Sequence, residues 1–266
     1  MRRSLLNNII LLFVISVFSA CGEEDEPAPI IGCQISEIKQ DRGDGRFQVT
    51  TFEYDEKRNL LKQTNKTVGQ DFLYISWVRT YNYNNTNQIV SIDVSSQQGT
   101  IPGSITYEYN VDGTLNKSIT YERGNLIFTK VYEYDDLKRV IKETTNYSAP
   151  SPELKRVSED IYEYIGQTKN LERVITIYKG QPESLTVYED YDDKHNPFGS
   201  QQSALNVLGY VISQNHARKS TFVMNSDGEE RVSYSSFKYN NQGFLIEAAP
   251  LNSSEHKSVF SYIGCE

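Results

Sequence analysis

The chain has 266 residues, 38% of them hydrophobic, with 19 tyrosines against two methionines and one tryptophan. That length suffices for one core or one elongated repeat domain, and the weight of Tyr favours strands over helices. A formal net charge of −8 offers no basic face to a phosphate backbone, which argues against nucleic acid as a partner.

Arg2 and Arg3 precede an apolar run from Ile9 to Phe18 broken only by Ser16, and Ser19 and Ala20 then lead to Cys21. A basic start, an apolar stretch too short to span a bilayer comfortably and small residues before a cut are the layout of a secretion signal, here residues 1–20. A permanent membrane-anchor helix is the rival reading, and nothing after Cys21 continues the apolar stretch. Phe18-Ser19-Ala20-Cys21 resembles the lipobox of bacterial lipoproteins, with Phe where Leu is usual. The resemblance implies cleavage before Cys21 and lipidation of its thiol, so the membrane is a partner through that lipid. Several acyl chains hold far more firmly than one, each buried methylene adding roughly 0.8 kcal/mol.

Residues 21–31 carry Glu23-Glu24-Asp25-Glu26, Pro27 and Pro29; they cannot bury a face and read as a solvated tether. The acidic stretch resembles the export tag of Bacteroidetes-type surface lipoproteins, which implies an outer-membrane protein displayed on the cell surface. A plain linker below a periplasm-facing anchor is the alternative. Without Arg2 and Arg3, 25 basic side chains remain against 35 acidic ones, a formal charge near −10. Anionic membrane surfaces repel such a chain.

Residues 32–266 form the remaining domain. Gln34-Ile35-Ser36-Glu37-Ile38 alternates like a first strand. One unit then recurs: an aromatic residue, any residue, Tyr, then an acid or amide and an alternating apolar stretch. It starts at Phe52, Tyr81, Tyr107, Tyr132, Tyr162 and Phe237; Tyr188-Glu189-Asp190-Tyr191 is a variant with one extra residue, and Phe260-Ser261-Tyr262 closes the series. Successive starts lie 29, 26, 25, 30 and 26 residues apart, then 49. The long gap predicts a degenerate copy between 198 and 225. A period of this size marks a supersecondary unit stacked on its neighbours.

The unit reads as a β-hairpin. Tyr107 and Tyr109 share a strand face, Asn110-Val111-Asp112-Gly113 turns the chain, and Leu115, Lys117, Ile119 and Tyr121 alternate on the return with Asn116, Ser118 and Thr120 opposite. Val90, Ile92 and Val94 alternate likewise against Ser91, Asp93 and Ser95. Asn196 to Ala217 is the least strand-like region, an insertion in which Gln201 to Leu208 has room for two helical turns. Val232 and Tyr234 fall on one parity, Phe237 and Tyr239 on the other, which predicts a bulge at Ser235-Ser236. The fold class is therefore all-β: an antiparallel meander of seven or eight hairpins, 14 to 16 strands, in one strongly curved or closed sheet, since open edges invite aggregation.

These units resemble YD (RHS-like) repeats, the Tyr-Asp hairpins of bacterial cell-surface and toxin-shell proteins. More closely, the lipobox, the hairpins, the segment Tyr191-Asp192-Asp193-Lys194-His195-Asn196-Pro197-Phe198 and the ending Phe260-Ser261-Tyr262-Ile263-Gly264-Cys265 resemble a family of Bacteroidetes-type outer-membrane or surface lipoproteins. The resemblance implies fold and location, and no activity.

With Cys21 committed to lipid, Cys33 and Cys265 remain at the two ends of the domain. In the oxidising compartment beyond the inner membrane they are expected to form a disulfide; two buried thiols is the alternative. No cysteine nucleophile is then left. His195, His216 and His256 are scattered and read as surface or turn residues, not as a metal motif. Acids cluster at Glu189 to Asp193 and at Asp227 to Glu230; they read as turns before they read as calcium loops or a hydrolase pair. No catalytic, metal or cofactor residue is assigned. The tyrosines read as the hydrophobic payload of the sheet, with an exposed aromatic strip for sugar rings or protein partners as the functional alternative; Trp77 is a weak contact candidate.

Three functions stay open. The first is a non-enzymatic surface module binding glycan or protein. The second is an envelope carrier holding an apolar ligand in a curled sheet, and the third a hydrolase using acids near 190 or 229.

Overall fold

The acid or amide that follows most of the paired tyrosines, though not Tyr164 or Tyr262, folds the chain back on itself. Asp55 Oδ1 accepts the backbone N–H of Asn59, Asp135 Oδ1 those of Leu137 and Arg139, and Asn240 Oδ1 those of Gln242 and Phe244. Beneath each cap a backbone N–H bonds three residues back, as Arg58 to Asp55 and Gly113 to Asn110. The fourth turn residue takes positive φ: Arg58, Asn87 and Lys138 do so as non-glycines, and Gly113 at 85°. The Asx side chain thus performs the capping that makes Asn and Asp turn residues.

A computed structural model describes residues 33–69, 72–96, 103–148, 156–196, 213–226, 228–251 and 256–264. They fall in the second of the two units into which the chain divides, Met1–Ile31 and Gly32–Glu266. The signal, Cys21, the tether, the proposed helical turns at 201–208, Asp227 and Cys265 lie outside the described residues.

Sixteen strands follow in order: β1 (Gln34–Asp41), β2 (Phe47–Tyr54), β3 (Leu60–Gly69), β4 (Phe72–Tyr83), β5 (Ile89–Ser95), β6 (Gly103–Tyr109), β7 (Leu115–Glu122), β8 (Asn125–Tyr134), β9 (Val140–Tyr147), β10 (Arg156–Tyr164), β11 (Leu171–Tyr178), β12 (Gln181–His195), β13 (Asn215–Met224), β14 (Glu230–Tyr239), β15 (Leu245–Pro250) and β16 (Ser258–Ile263). Each pairs antiparallel with its neighbours, and β16 returns to β1, closing a barrel. Closure removes the edges that an open sheet of this width exposes. At the opposite end from the Asx turns, two connections are two-residue turns with both residues at positive φ, Arg123-Gly124 and Lys179-Gly180. That geometry matches the twist of the flanking strands.

Every aromatic-x-Tyr copy lies on an even-numbered strand. The strand order runs directly from β12 through β13 to β14, so among the described residues no degenerate copy stands between them, against the expectation of one between 198 and 225. The 49-residue gap includes the connection from His195 to Asn215, of which residues 197–212, where the insertion is expected, lie outside the described residues. The extra residue of the Tyr188 variant is absorbed at Asp190, which takes a φ of 56°.

A second correction concerns phase. Beside six of the tyrosines the ladder slips by one residue: Tyr54 pairs with Leu60 while Glu53 pairs with Lys62, and the same holds at Tyr83, Tyr109, Tyr134, Tyr164 and Tyr239. The extra residues are Leu61, Val90, Asn116, Ile141, Glu172 and Ile246. Leu115 therefore shares a face with Ser118 and Thr120, and Lys117, Ile119 and Tyr121 turn the other way. A simple alternation rule fails here because each bulge flips the pleat. On β14 the slip sits at Lys238/Tyr239, and none is found at Ser235-Ser236. Val232 and Tyr234, 39% and 43% exposed, simply occupy the outer face.

Candidate functional site

The inner face carries the core. Ile35, Phe52, Leu60, Tyr81, Ile89, Ile92, Tyr107, Leu115, Tyr132, Val140, Tyr162 and Leu171 form one buried cluster, and residues paired across a rung share a face. At its Asx-turn end the cluster is fastened by a repeated hydrogen bond. The second tyrosine of each even strand donates its hydroxyl to the carbonyl of the first inward residue of the preceding strand. The pairs are Tyr54 to Ile35, Tyr83 to Leu60, Tyr109 to Ile89, Tyr134 to Leu115, Tyr164 to Val140, Tyr191 to Leu171 and Tyr262 to Leu245, all between 2.7 and 2.9 Å. Burial holds these phenols neutral, pushing Tyr109, Tyr134 and Tyr191 up to about 12.

The β14 copy differs. On β13 the aliphatic position is His216, and Tyr239 bonds Asp192 and His216 Nδ1 instead of a carbonyl. Asp192 has a side chain only 1% exposed, and its Oδ1 accepts the backbone N–H groups of Lys194 and His216. With Tyr239 donating to the carboxylate, its oxygen accepts from Nδ1–H, so Nε2 carries the bare lone pair. That atom has no partner among the described residues. Phe237 packs 4.8 Å from the imidazole centroid. Burial lowers the His216 pKa, against the pull of Asp192. The residues that lead into β13 are held beside this cluster: Ser213 bonds Leu171 N and Tyr191 Oη, and Asn215 bonds Asn170 and the Lys194 carbonyl. Reading His216 as a surface or turn residue is thus overturned: it is 8% exposed. His256 is exposed at a positive-φ position.

Away from the Asx turns the inner wall turns polar. Gln48, Thr50 and Asn65 are linked in a chain, and Gln63 Oε1 accepts from Tyr81 Oη and Arg79 Nη1. The Arg79 guanidinium lies 4.4 Å from the Trp77 ring, which places Trp77 on this half-buried wall. Further round, Ser118 meets Tyr132 Oη at 3.3 Å, and Lys130 Nζ bonds Glu143 at 2.6 Å. Glu143 faces Asp160 across a rung, and Asp160 accepts from Thr176. Burial raises the Glu143 pKa, with Lys130 opposing it and Asp160 adding to it. Arg79 Nε, Tyr107 Oη and Glu143 Oε2 are buried without a hydrogen-bond partner among the described residues. Sequence reasoning missed this wall because the bulges hide which polar residues point inward.

The outer face is of another character. The middle residue of each Tyr-Glu-Tyr copy points out and pairs across the rung: Glu53 with Lys62, Glu108 with Lys117, Glu133 with Lys142, Glu163 with Arg173 and Glu189 with Lys219. Lys238 pairs likewise with Glu247. Of the clustered acids, Glu189 serves this outer pairing, Asp193 is exposed beside Lys194 and Glu229 pairs with Arg231. Among the described residues no group of three or more His, Cys, Asp and Glu could hold a metal ion.

No family model matches the chain, and no curated protein matches it. Among solved structures, a porin-like protein from Bacteroides uniformis ATCC 8492 is similar at a TM-score of 0.58 and 13% identity, over 85% of this chain and 95% of that one. A porin-like protein from Bacteroides vulgatus ATCC 8482 is similar at 0.57 and 14%, over 86% and 98%. At these identities the likeness shows the barrel fold alone. TcdB2-TccC3 without its hypervariable C-terminal region aligns at a TM-score of 0.35 over 14% of its own length, too low to bear on the fold.

Proposed function

We propose that the protein is a non-enzymatic, lipid-anchored barrel of the outer membrane, displayed on the cell surface, that stands in water and binds a glycan or protein ligand within its lumen. The observation that carries this is the outer face. Beyond the exposed bulge residue Val90, the outward residues of β5 and β6 are polar: Ser91, Asp93, Ser95, Ser104, Thr106 and Glu108. Lys39, Lys66 and Glu159 add charge to the outer wall of β1, β3 and β10. A membrane-spanning barrel needs an apolar band on all its strands, and a lysine at the bilayer midplane costs roughly 2–4 kcal/mol. In water Glu108 pairs with Lys117 and Glu159 with Lys142, each pair worth at most about 1 kcal/mol, and such residues favour a wall that faces water. Attachment then falls to Cys21, whose surroundings resemble a lipobox.

The porin-like neighbours favour a second reading, a transmembrane pore. The two readings part on a single residue. In the native host, Cys21→Ser is expected to move the protein out of the membrane fraction or to stall its processing. A variant that stays with membranes at mature length would overturn the lipid-anchored reading in favour of the pore.

A further inference from the structure

Among the described residues, four buried side-chain atoms have no partner, and three of them, Arg79 Nε, Tyr107 Oη and Glu143 Oε2, sit on the inner wall of β4, β6 and β9. Tyr107 is 6% exposed and Glu143 2%. Leaving such an atom unsatisfied is destabilising, and a protein that needed only a stable wall would place aliphatic groups there, as it does at Ile92 and Val94 on β5. The three differ in kind. Arg79 Nε only donates, an ionised Glu143 only accepts, and a phenol does both. Strands lie about 4.8 Å apart, so β4 to β9 spans about 24 Å of wall.

We propose that this stretch binds an extended neutral oligosaccharide, whose hydroxyls satisfy Arg79, Tyr107 and Glu143 while the Trp77 ring offers an apolar face. The assignment rests on the reading that the barrel binds its ligand within the lumen. A sugar hydroxyl both donates and accepts, so one ligand type meets all three atoms. An apolar ligand satisfies none of them. An extended peptide binds sheets through a free strand edge, and a closed barrel has none. The fixed charges at the site balance closely, Arg79 and Lys130 against Glu143 and Asp160, which favours an uncharged ligand.

The test is calorimetric titration of soluble 32–266 with neutral hexasaccharides of glucan, mannan, xylan and chitin type, with cis-parinaric acid as the apolar probe. Binding of at least one sugar is expected. Tyr107→Phe removes a hydroxyl that bonds nothing in the protein, so its melting temperature should hold or rise while sugar affinity falls about tenfold. Arg79→Lys, which removes Nε, should weaken the same sugar by a similar factor. Undiminished sugar binding in both variants would overturn the site. Uptake of cis-parinaric acid without any sugar would overturn the saccharide and leave a lumen ligand in place. Folded, soluble protein that takes up neither probe would overturn the lumen reading along with it.

Discussion

Replacing Tyr239 by Phe should cost far more than the same change at its seven counterparts. Tyr109→Phe removes one hydroxyl from the Ile89 carbonyl, a neutral bond worth about 1 kcal/mol net. Tyr239→Phe removes a bond to a carboxylate 1% exposed and a second to His216 Nδ1. A hydrogen bond to a charged group contributes about 1.5–3 kcal/mol, and leaving the carboxylate oxygen buried adds to that. His216 Nδ1 lies 3.7 Å from Asp192 Oδ2, too far to take over without rearrangement. The sum is about 3 kcal/mol. For a domain of this size 1 kcal/mol shifts the melting temperature by about 2–4 °C, so Tyr109→Phe should lower it by about 2–4 °C and Tyr239→Phe by about 6–12 °C. Calorimetry of both variants at pH 7.5 reads this directly. Equal shifts would refute the claim that the β14 unit is a specialised buried network.

The same cluster should respond to pH. The folded His216 pKa lies below its usual value of 6.5, so the unfolded chain takes up the proton first. Its contribution is therefore full above about pH 6.5 and is lost as pH falls from there toward the folded pKa, by up to about 1.4 kcal/mol per pH unit. His216→Leu, which restores the aliphatic of the other units, should remove that slope from urea-denaturation profiles between pH 7 and 5; parallel wild-type and variant profiles would contradict the assignment. Cys33 and Cys265 should be joined. β1 begins at Gln34, paired with Ile263 near the end of β16, which brings Cys33 close to the chain's exit from the last strand. A non-reduced digest of protein from its own host should yield the linked peptides, and chain-entropy arithmetic gives on the order of 5 kcal/mol as an upper estimate for the bond. Unmodified thiols at both positions would contradict it.

Much of the fold was legible because each unit states its own local rules. The aromatic-x-Tyr pair shares a face, the following Asx caps the turn, and an excess of strands disfavours a flat open sheet, so an all-β meander in a strongly curved or closed sheet follows from sequence, and the structure resolves that choice as closure. What misled was phase. The six bulges beside the tyrosines cannot be read from hydropathy, and so Ser118, Lys117 and their counterparts were placed on the wrong faces. Both candidate sites depend on that phase. Glu143 follows the Ile141 bulge, and Ser118 follows Asn116. His216 was legible in principle, since aligning the residue that opens each odd strand gives Ile35, Leu60, Ile89, Leu115, Val140, Leu171 and Leu245 with a histidine in the seventh place. The 49-residue spacing before Phe237 breaks the period and conceals that alignment behind an apparent extra copy.

The central claim is that this barrel faces water on its outside. Sedimentation velocity of residues 32–266 in detergent-free buffer, paired with planar-bilayer recording of the same sample, tests it most directly. A monodisperse soluble species that leaves bilayers silent is the predicted result. A protein that needs detergent to stay dispersed and inserts with stepwise conductance would contradict it.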